Sequence, residues 1–347
     1  MPVKLAARGL HVIVVCNVYY VATVFNGPSF SVAGSVADSL IPSIDASILF
    51  DPDHQDYQKA IASVRFAATE VGFMTIYNTV ITRSQVETLL AEYREFFLLP
   101  EATKSAVDMA KTNSNRGWGR SGAERVSAKA NPDYKQVFDS GPELDASDPL
   151  TSMPFYATNR WPHEPMYFRD SVVEYYQQAC SVALNLLSVI AIAIGENAHY
   201  FNDAFDKPMA LLRGNYYPVR PDRATTKDFG IAEHTDYGCL TLLATDGAPG
   251  LEVKVSDDTW LPVCVPPGEF VINFGEMLEF WTDGKVLATP HRVHGGKRER
   301  MSVPLFFNPR HDVNVAPAGT SQTILAGDHL SKRYNETYLH LNDSKRD

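Results

Sequence analysis

The stretch AEHTDYGCLTLL, residues 232–243, sets a histidine and an aspartate two positions apart at the head of a run that reads as a β-strand. Side chains alternate across a strand, so His234 and Asp236 share a face while Glu233 and Thr235 take the other. A surface ion pair and two ligands of a metal are both consistent with that placement, and the rest of the chain decides between them. Outward from this stretch the rhythm is one of short apolar segments between turns: 211–217, 231–236, 239–244, 250–254, 260–264, 269–274, 287–293 and 300–307. Eight short strands in about a hundred residues read as a sandwich or jelly roll.

The half before residue 210 is mainly helical. Ile61, Val64, Ala68 and Val71 form a helical stripe over 57–71, ended by Gly72. FMTIY, 73–77, reads as a strand, and IPSIDASIL, from Ile41, as an entering strand. TRSQ at 82–85 has the form of a capping box in front of Val86, Leu89, Leu90, Tyr93, Phe96 and Phe97. Residues 105–160 are irregular, and a connection that long is usually functional. A long helix follows from Val172 to Ile194. It is interrupted by Asn185 and Ser188 and reads as buried, not as a membrane span. The expected divisions are 1–39, 40–160, 161–209, 210–310 and 311–347, the last a helical tail.

The 347 residues are 45% hydrophobic and 21% charged, as in ordinary globular chains. A formal net charge of −10 argues against a nucleic-acid or anionic-membrane surface. Cys16, Cys180, Cys239 and Cys264 are scattered, without a CxxC pair, and read as buried thiols. The N-terminus runs from Lys4 and Arg8 through apolar Val12–Phe25 to small residues, the order of a signal peptide. Residues 1–39 are therefore a targeting segment, an extension packed on the domain, or the product of a mis-assigned start. A cytoplasmic location is expected, with targeting by residues 1–35 as the alternative.

The barrel half carries further polar residues with matching parity. TPHRVHGG offers His291 and His294 on opposite strand faces, so only one can join His234 and Asp236. Arg300 and Ser302 share a face, as do Arg213, Asn215 and Tyr217. Charges gathered in one interior are costly unless something pairs them. Two histidines and a carboxylate form the facial set of non-haem iron oxygenases, though zinc hydrolases use the same ligand types. The Arg-x-Ser favours iron, because its planar fork suits the far carboxylate of 2-oxoglutarate.

From about Ile41 onward the chain resembles the iron/2-oxoglutarate-dependent dioxygenases of the isopenicillin N synthase-like group. The resemblance rests on His234-x-Asp236, His291 after a spacer of 54 residues, Arg300-x-Ser302 and NYYP at 215–218. In the front half it rests on FFLLPEATK, NRGWG, DYKQVFDSG and NRWP. It implies an α+β fold with a double-stranded β-helix (jelly-roll) core and supporting helices. It also implies Fe(II), 2-oxoglutarate and O2 as cofactor and cosubstrates, with ascorbate as reductant, and a monomer acting on a small-molecule substrate. A C–H bond would be hydroxylated, desaturated or closed into a ring, with release of succinate and CO2. His234, Asp236 and His291 would bind iron. Arg300, Ser302, Tyr217 and Asn215 would hold 2-oxoglutarate, and Arg213, Phe306, Trp118 and Arg120 would meet substrate. An oxidase of the same fold that uses no 2-oxoglutarate is the nearest alternative, and a non-catalytic binding protein a more distant one. The chain departs from the family's usual pattern at Glu276, where aspartate is common, and at Gln136, where glutamate is common. Pro304 lacks a ladder donor, which predicts a strand end or bulge.

Overall fold

Strands punctuated by turns build the second half, and helices cover one side of it. A computed structural model describes residues 11–15, 18–22, 40–111, 114–125, 131–220, 222, 225, 229–256 and 259–337. The front half contributes β1 (His11–Val15), β2 (Val18–Ala22), β3 (Ser43–Asp45), β4 (Phe73–Tyr77), β5 (Gly117–Gly119) and β6 (Gln136–Ser140). The expected eight strands follow: β7 (Leu211–Tyr217), β8 (Ile231–His234), β9 (Leu240–Thr245), β10 (Leu251–Ser256), β11 (Thr259–Val263), β12 (Phe270–Phe274), β13 (His291–Val293) and β14 (Arg300–Phe307). The helices are α1 (Ala46–Leu49), α2 (Tyr57–Phe66), α3 (Arg83–Leu98), α4 (Glu101–Lys104), α5 (Phe168–Ala193), α6 (Glu276–Trp281) and α7 (Ala326–Thr337).

Two sheets make the jelly roll. The smaller has the order β11-β10-β13-β8; the larger, β3-β4-β12-β9-β14-β7-β6-β5, is a four-strand barrel face extended at both edges by front-half strands. Period-two alternation gives β14 two faces. Val303, Leu305 and Phe307 join the main apolar core with Leu212, Leu242 and Ile272, under Leu89, Tyr93 and Phe96 of α3 and Phe168, Val172 and Leu186 of α5. Each such side chain, fully buried, contributes roughly 1.5–3 kcal/mol. Arg300, Ser302, Pro304 and Phe306 face the other way, into a cavity. Gly214 lets helix and sheet approach closely, because a Cβ there would stand 2.3 Å from the Tyr93 ring. α3 starts at the expected capping box, Gln85 N–H donating to Thr82 Oγ1 at 3.3 Å and Thr82 N–H to Gln85 Oε1 at 2.9 Å. α5 is long and apolar enough to cross a membrane by length and composition, but it is the core helix, with one face buried beneath the large sheet.

Several expectations are corrected. The entering strand is only Ser43–Asp45, because the Asp45 carboxylate accepts from Ser47 N–H at 2.9 Å and starts α1. Residues 105–160 are not merely irregular, since β5 and β6 pair in sequence onto β7. Pro304 neither ends nor bulges β14. Its register with β9 is continuous, and only the pairing with β7 lapses, at Val303 and Pro304, before resuming at Leu305. Cys239 is buried, but Cys180 is half-buried and Cys264 exposed; Cys16 lies outside the described residues. Of the N-terminal segment, β1 and β2 form a hairpin that joins no other sheet, and most of residues 1–39 lies outside the described residues.

Candidate active site

His234 is the last residue of β8, and His291 opens β13 directly opposite it in register. Asp236 sits two residues past the strand, in a loop docked on the start of α6. Glu276 N–H donates to Asp236 O at 2.8 Å, and Met277 N–H to Gly238 O at 3.1 Å. The Asp236 Oδ1 is 3.8 Å from His234 Nε2 and 3.7 Å from His291 Nε2. One ligand atom from each of the three lies within 4.8 Å of the others. The remaining polar atoms are already engaged. The Nδ1–H groups donate to Ala232 O at 2.8 Å and Thr289 O at 3.2 Å, which leaves both Nε2 lone pairs for a metal. Asp236 Oδ2 accepts from Thr241 Oγ1 at 2.5 Å and Asn273 Nδ2 at 2.7 Å, which turns Oδ1 toward the imidazoles.

The electrostatics match a cation. Burial, then the neighbouring His291, push the His234 imidazole down to about 3, so it stays neutral. Burial pushes the Asp236 carboxyl up, but His291, His234 and the two hydrogen bonds outweigh it and hold the group low. A neutral His234 imidazole beside an anionic Asp236 carboxylate matches the protonation states a divalent metal requires. Nitrogen and oxygen donors on one side of a cavity, with room opposite, fit iron(II).

The same cavity holds the four residues expected to bind 2-oxoglutarate. Arg300 pairs with Tyr217 and Ser302 with Asn215 across β14 and β7, all facing inward. Arg300 is only 3% exposed, yet its Nε and Nη1 have no hydrogen-bond partner. Its guanidinium lies 5.1 Å from the Tyr217 ring. The Asn215 Oδ1 is likewise buried without a partner. Unmatched guanidinium donors in the cavity wall fit the carboxylate of a ligand.

The expected substrate contacts divide. Phe306 lines the cavity. Arg213 does too, but it is held by Asp139, at 2.7 Å from Nε and 2.6 Å from Nη2, and by Glu124, 3.0 Å from Nη1. Trp118 and Arg120 are not in the cavity wall. The Trp118 indole N–H donates to Gln136 at 3.0 Å, and Arg120 is an exposed partner of Asp108 at 2.8 Å. Pairing of β5 with β6 turns the indole into the core, a register that periodicity could not indicate. His294 pairs with Glu252 at 3.2 Å, away from the cavity, and His54 and Asp56 lie on the surface, as expected.

Other residues carry no motif of their own. Thr241 and Asn273 orient Asp236; Glu124, Lys135, Tyr237 and, from α7, Leu330, Tyr334 and Thr337 complete the wall. The tail helix is tied down by Tyr237 Oη to Thr337 Oγ1, 2.6 Å, and Arg333 Nη2 to Glu276 Oε1, 2.8 Å. Glu276 also accepts from Thr235, between the two ligands. The available signals were the DYKQVFDSG block around Lys135 and the tyrosine after Asp236.

Residues 41–164 match the model of the non-haem dioxygenase in morphine synthesis N-terminal family, and residues 208–309 that of the 2OG-Fe(II) oxygenase superfamily. The chain is 29% identical over 320 residues to the 2-oxoglutarate-dependent dioxygenase tropC of Talaromyces stipitatus, covering 87% of this chain and 97% of that one. It is 30% identical to the oxoglutarate-dependent flavonoid 7-O-demethylase 1 of Ocimum basilicum, covering 81% and 72%. A solved structure of a full-length Neurospora crassa protein in complex with alpha-KG and thymine superposes with a TM-score of 0.75 at 25% identity, over 85% of this chain and 96% of that one.

Proposed function

Since the chain belongs to the 2OG-Fe(II) oxygenase superfamily and is an iron- and 2-oxoglutarate-dependent dioxygenase of small metabolites, we propose how its residues divide the work. His234, Asp236 and His291 hold the iron. Arg300 and Ser302 take the distal carboxylate of 2-oxoglutarate, with Tyr217 and Asn215 nearer the metal. The observation that carries this is the buried Arg300 guanidinium, its Nε and Nη1 unpaired, in the same cavity as the three ligands. When bound, Fe(II) supplies the dioxygen chemistry that couples decarboxylation of 2-oxoglutarate to oxidation of a substrate C–H bond. The protein orients and seals. Thr241 and Asn273 keep Asp236 aimed, and α7, through Leu330, Tyr334 and Thr337, walls the chamber from water.

The substrate is a small polar or aromatic metabolite. Relatives named for a flavonoid and a structure holding thymine support that class. The single chain is the working unit, a reading supported by the three ligands and Arg300 all coming from one polypeptide; a dimer mass in solution would overturn it. The working location is the cytoplasm; a reporter carried elsewhere by residues 1–39 would overturn this.

The test is anaerobic reconstitution with Fe(II) and 2-oxoglutarate, then a substrate library screened for succinate. Expected are one iron per chain and succinate stoichiometric with product. Product without succinate would transfer the reading to the oxidase alternative. Iron content in His234→Ala, Asp236→Ala and His291→Ala should fall to background; any variant that keeps its iron removes that residue from the set.

A further inference from the structure

Bordering the chamber stands a cluster of buried charges that iron and 2-oxoglutarate binding do not use. Lys135 Nζ is 2.9 Å from Glu124 Oε2 and 3.4 Å from Asp133 Oδ2, and the Lys135 and Glu124 side chains are each 3% exposed. Arg213 bridges Glu124 to Asp139. Arg116 acts on Asp139 electrostatically as well. Three carboxylates thus face three cations. Burial, opposed by Lys135, leaves the Asp133 carboxyl up at about 6, while Arg213 and Lys135 overcome burial and hold Glu124 at about 2, so both are ionised at neutral pH.

Such a cluster is a poor way to build a wall, because apolar residues of similar volume serve stability at least as well. Its placement is more telling. Glu124, Lys135 and Arg213 border the same cavity as the iron ligands. The cluster also has capacity left. An ammonium has three N–H groups; Glu124 Oε2 takes one, while Asp133 Oδ2, 3.4 Å away, is an ion-pair neighbour without a hydrogen bond. Glu124 Oε1 is buried and makes no hydrogen bond, although Arg213 Nη2 is 2.9 Å away. A donor and an acceptor on neighbouring side chains are therefore available. With its charges balanced, the cluster has no surplus charge with which to repay the desolvation of an ionic substrate.

We propose that Glu124 and Lys135 form a substrate-reading pair that selects an uncharged molecule presenting a hydrogen-bond donor and acceptor side by side, as a lactam, imide or amide edge does. Asp133 and Arg213 are positioning residues for this pair, and Leu211, Phe306 and Leu330 receive the apolar body of the molecule. The inference rests on the dioxygenase reading and narrows its substrate class.

The test is calorimetric titration of the anaerobic Fe(II)–2-oxoglutarate enzyme with three probes of similar shape. 2-Quinolone carries the donor–acceptor edge, 1-methyl-2-quinolone lacks the donor, and 2-naphthoate is an anion. 2-Quinolone should bind at least about tenfold tighter than either, the loss of one hydrogen bond to a charged group. Glu124→Gln and Lys135→Met should erase that preference while 2-oxoglutarate affinity stays at the wild-type value. Equal affinities in the wild type, preference for 2-naphthoate, no 2-quinolone binding, or variants that keep the preference would each overturn the proposal. A variant that has lost 2-oxoglutarate is misfolded, and the wild-type ranking then decides alone. Wild-type protein that fails to take up iron or 2-oxoglutarate would sink the dioxygenase assignment of residues instead, a separate outcome.

Discussion

Arg300 offers the most exacting test, because the structure predicts opposite effects on binding and on stability. The guanidinium is buried in the wall with Nε and Nη1 unpaired, its compensation within the protein being the Tyr217 ring at 5.1 Å. Truncating one partner of a buried, hydrogen-bonded charge pair costs roughly 2–5 kcal/mol. At about 1.4 kcal/mol per decade, that is on the order of thirty- to several-thousand-fold in affinity. Arg300→Met should weaken 2-oxoglutarate by that factor while iron content stays unchanged. Without ligand, the same substitution removes a desolvated, unmatched cation, so the ligand-free protein should be as stable as wild type or more so. Arg300→Lys should recover part of the affinity, restoring charge but not the fork. Ser302→Ala should lose less, roughly 1.5–3 kcal/mol for one bond to a charged group. The assays are calorimetric titration of 2-oxoglutarate into the iron-loaded enzyme and chemical denaturation of the ligand-free protein. Unchanged 2-oxoglutarate affinity in Arg300→Met would place the clamp elsewhere. Lost affinity with a matching loss of ligand-free stability would show that Arg300 holds the barrel together, and its unpaired donors would then say nothing of a ligand.

Three further outcomes follow from the geometry. Asn273→Leu removes a 2.7 Å bond to Asp236 Oδ2 and should weaken iron affinity by about 10–100-fold, read by chelator competition; an unchanged value would mean that Thr241 alone aims the carboxylate. Burial raises the Asp133 carboxyl to about 6, so between pH 4 and 6 the unfolded chain releases this proton first and stability falls as pH rises, by about 3 kcal/mol at most. That slope should flatten in Asp133→Asn when denaturation midpoints are compared at pH 4.5 and 7, and an unaltered slope would assign it to other groups. Removing residues 1–35 should leave a folded, iron-binding enzyme, since the family match begins at residue 41; loss of the folded state would show that the segment belongs to the core.

Much of the molecule was legible along the chain because its information is local. Turn spacing announced the eight barrel strands, and strand parity put Arg300 with Ser302 and Phe306, and Arg213 with Asn215 and Tyr217, on inward faces. The facial set was legible as a spaced motif, but parity covers only the two histidines: β8 ends at His234, short of the expected residue 236, and Asp236 is aimed from a loop by Thr241 and Asn273. What the tertiary structure alone decided involves partners distant in sequence. Arg213 is inward, as parity requires, yet Asp139 and Glu124, brought in by β6 and the loop before it, hold its guanidinium; parity says nothing of what a side chain meets. Trp118 is turned into the core by edge pairing of β5 onto β6, which a three-residue strand with glycine at both ends does not encode by period. The helical tail was readable as a helix, but Leu330, Tyr334 and Thr337 line the chamber only because Glu276, Tyr237 and the loop at Arg125 anchor that helix across the barrel mouth. Local pattern determined the strands and the metal ligands; long-range hydrogen bonds and ion pairs determined the walls of the substrate chamber.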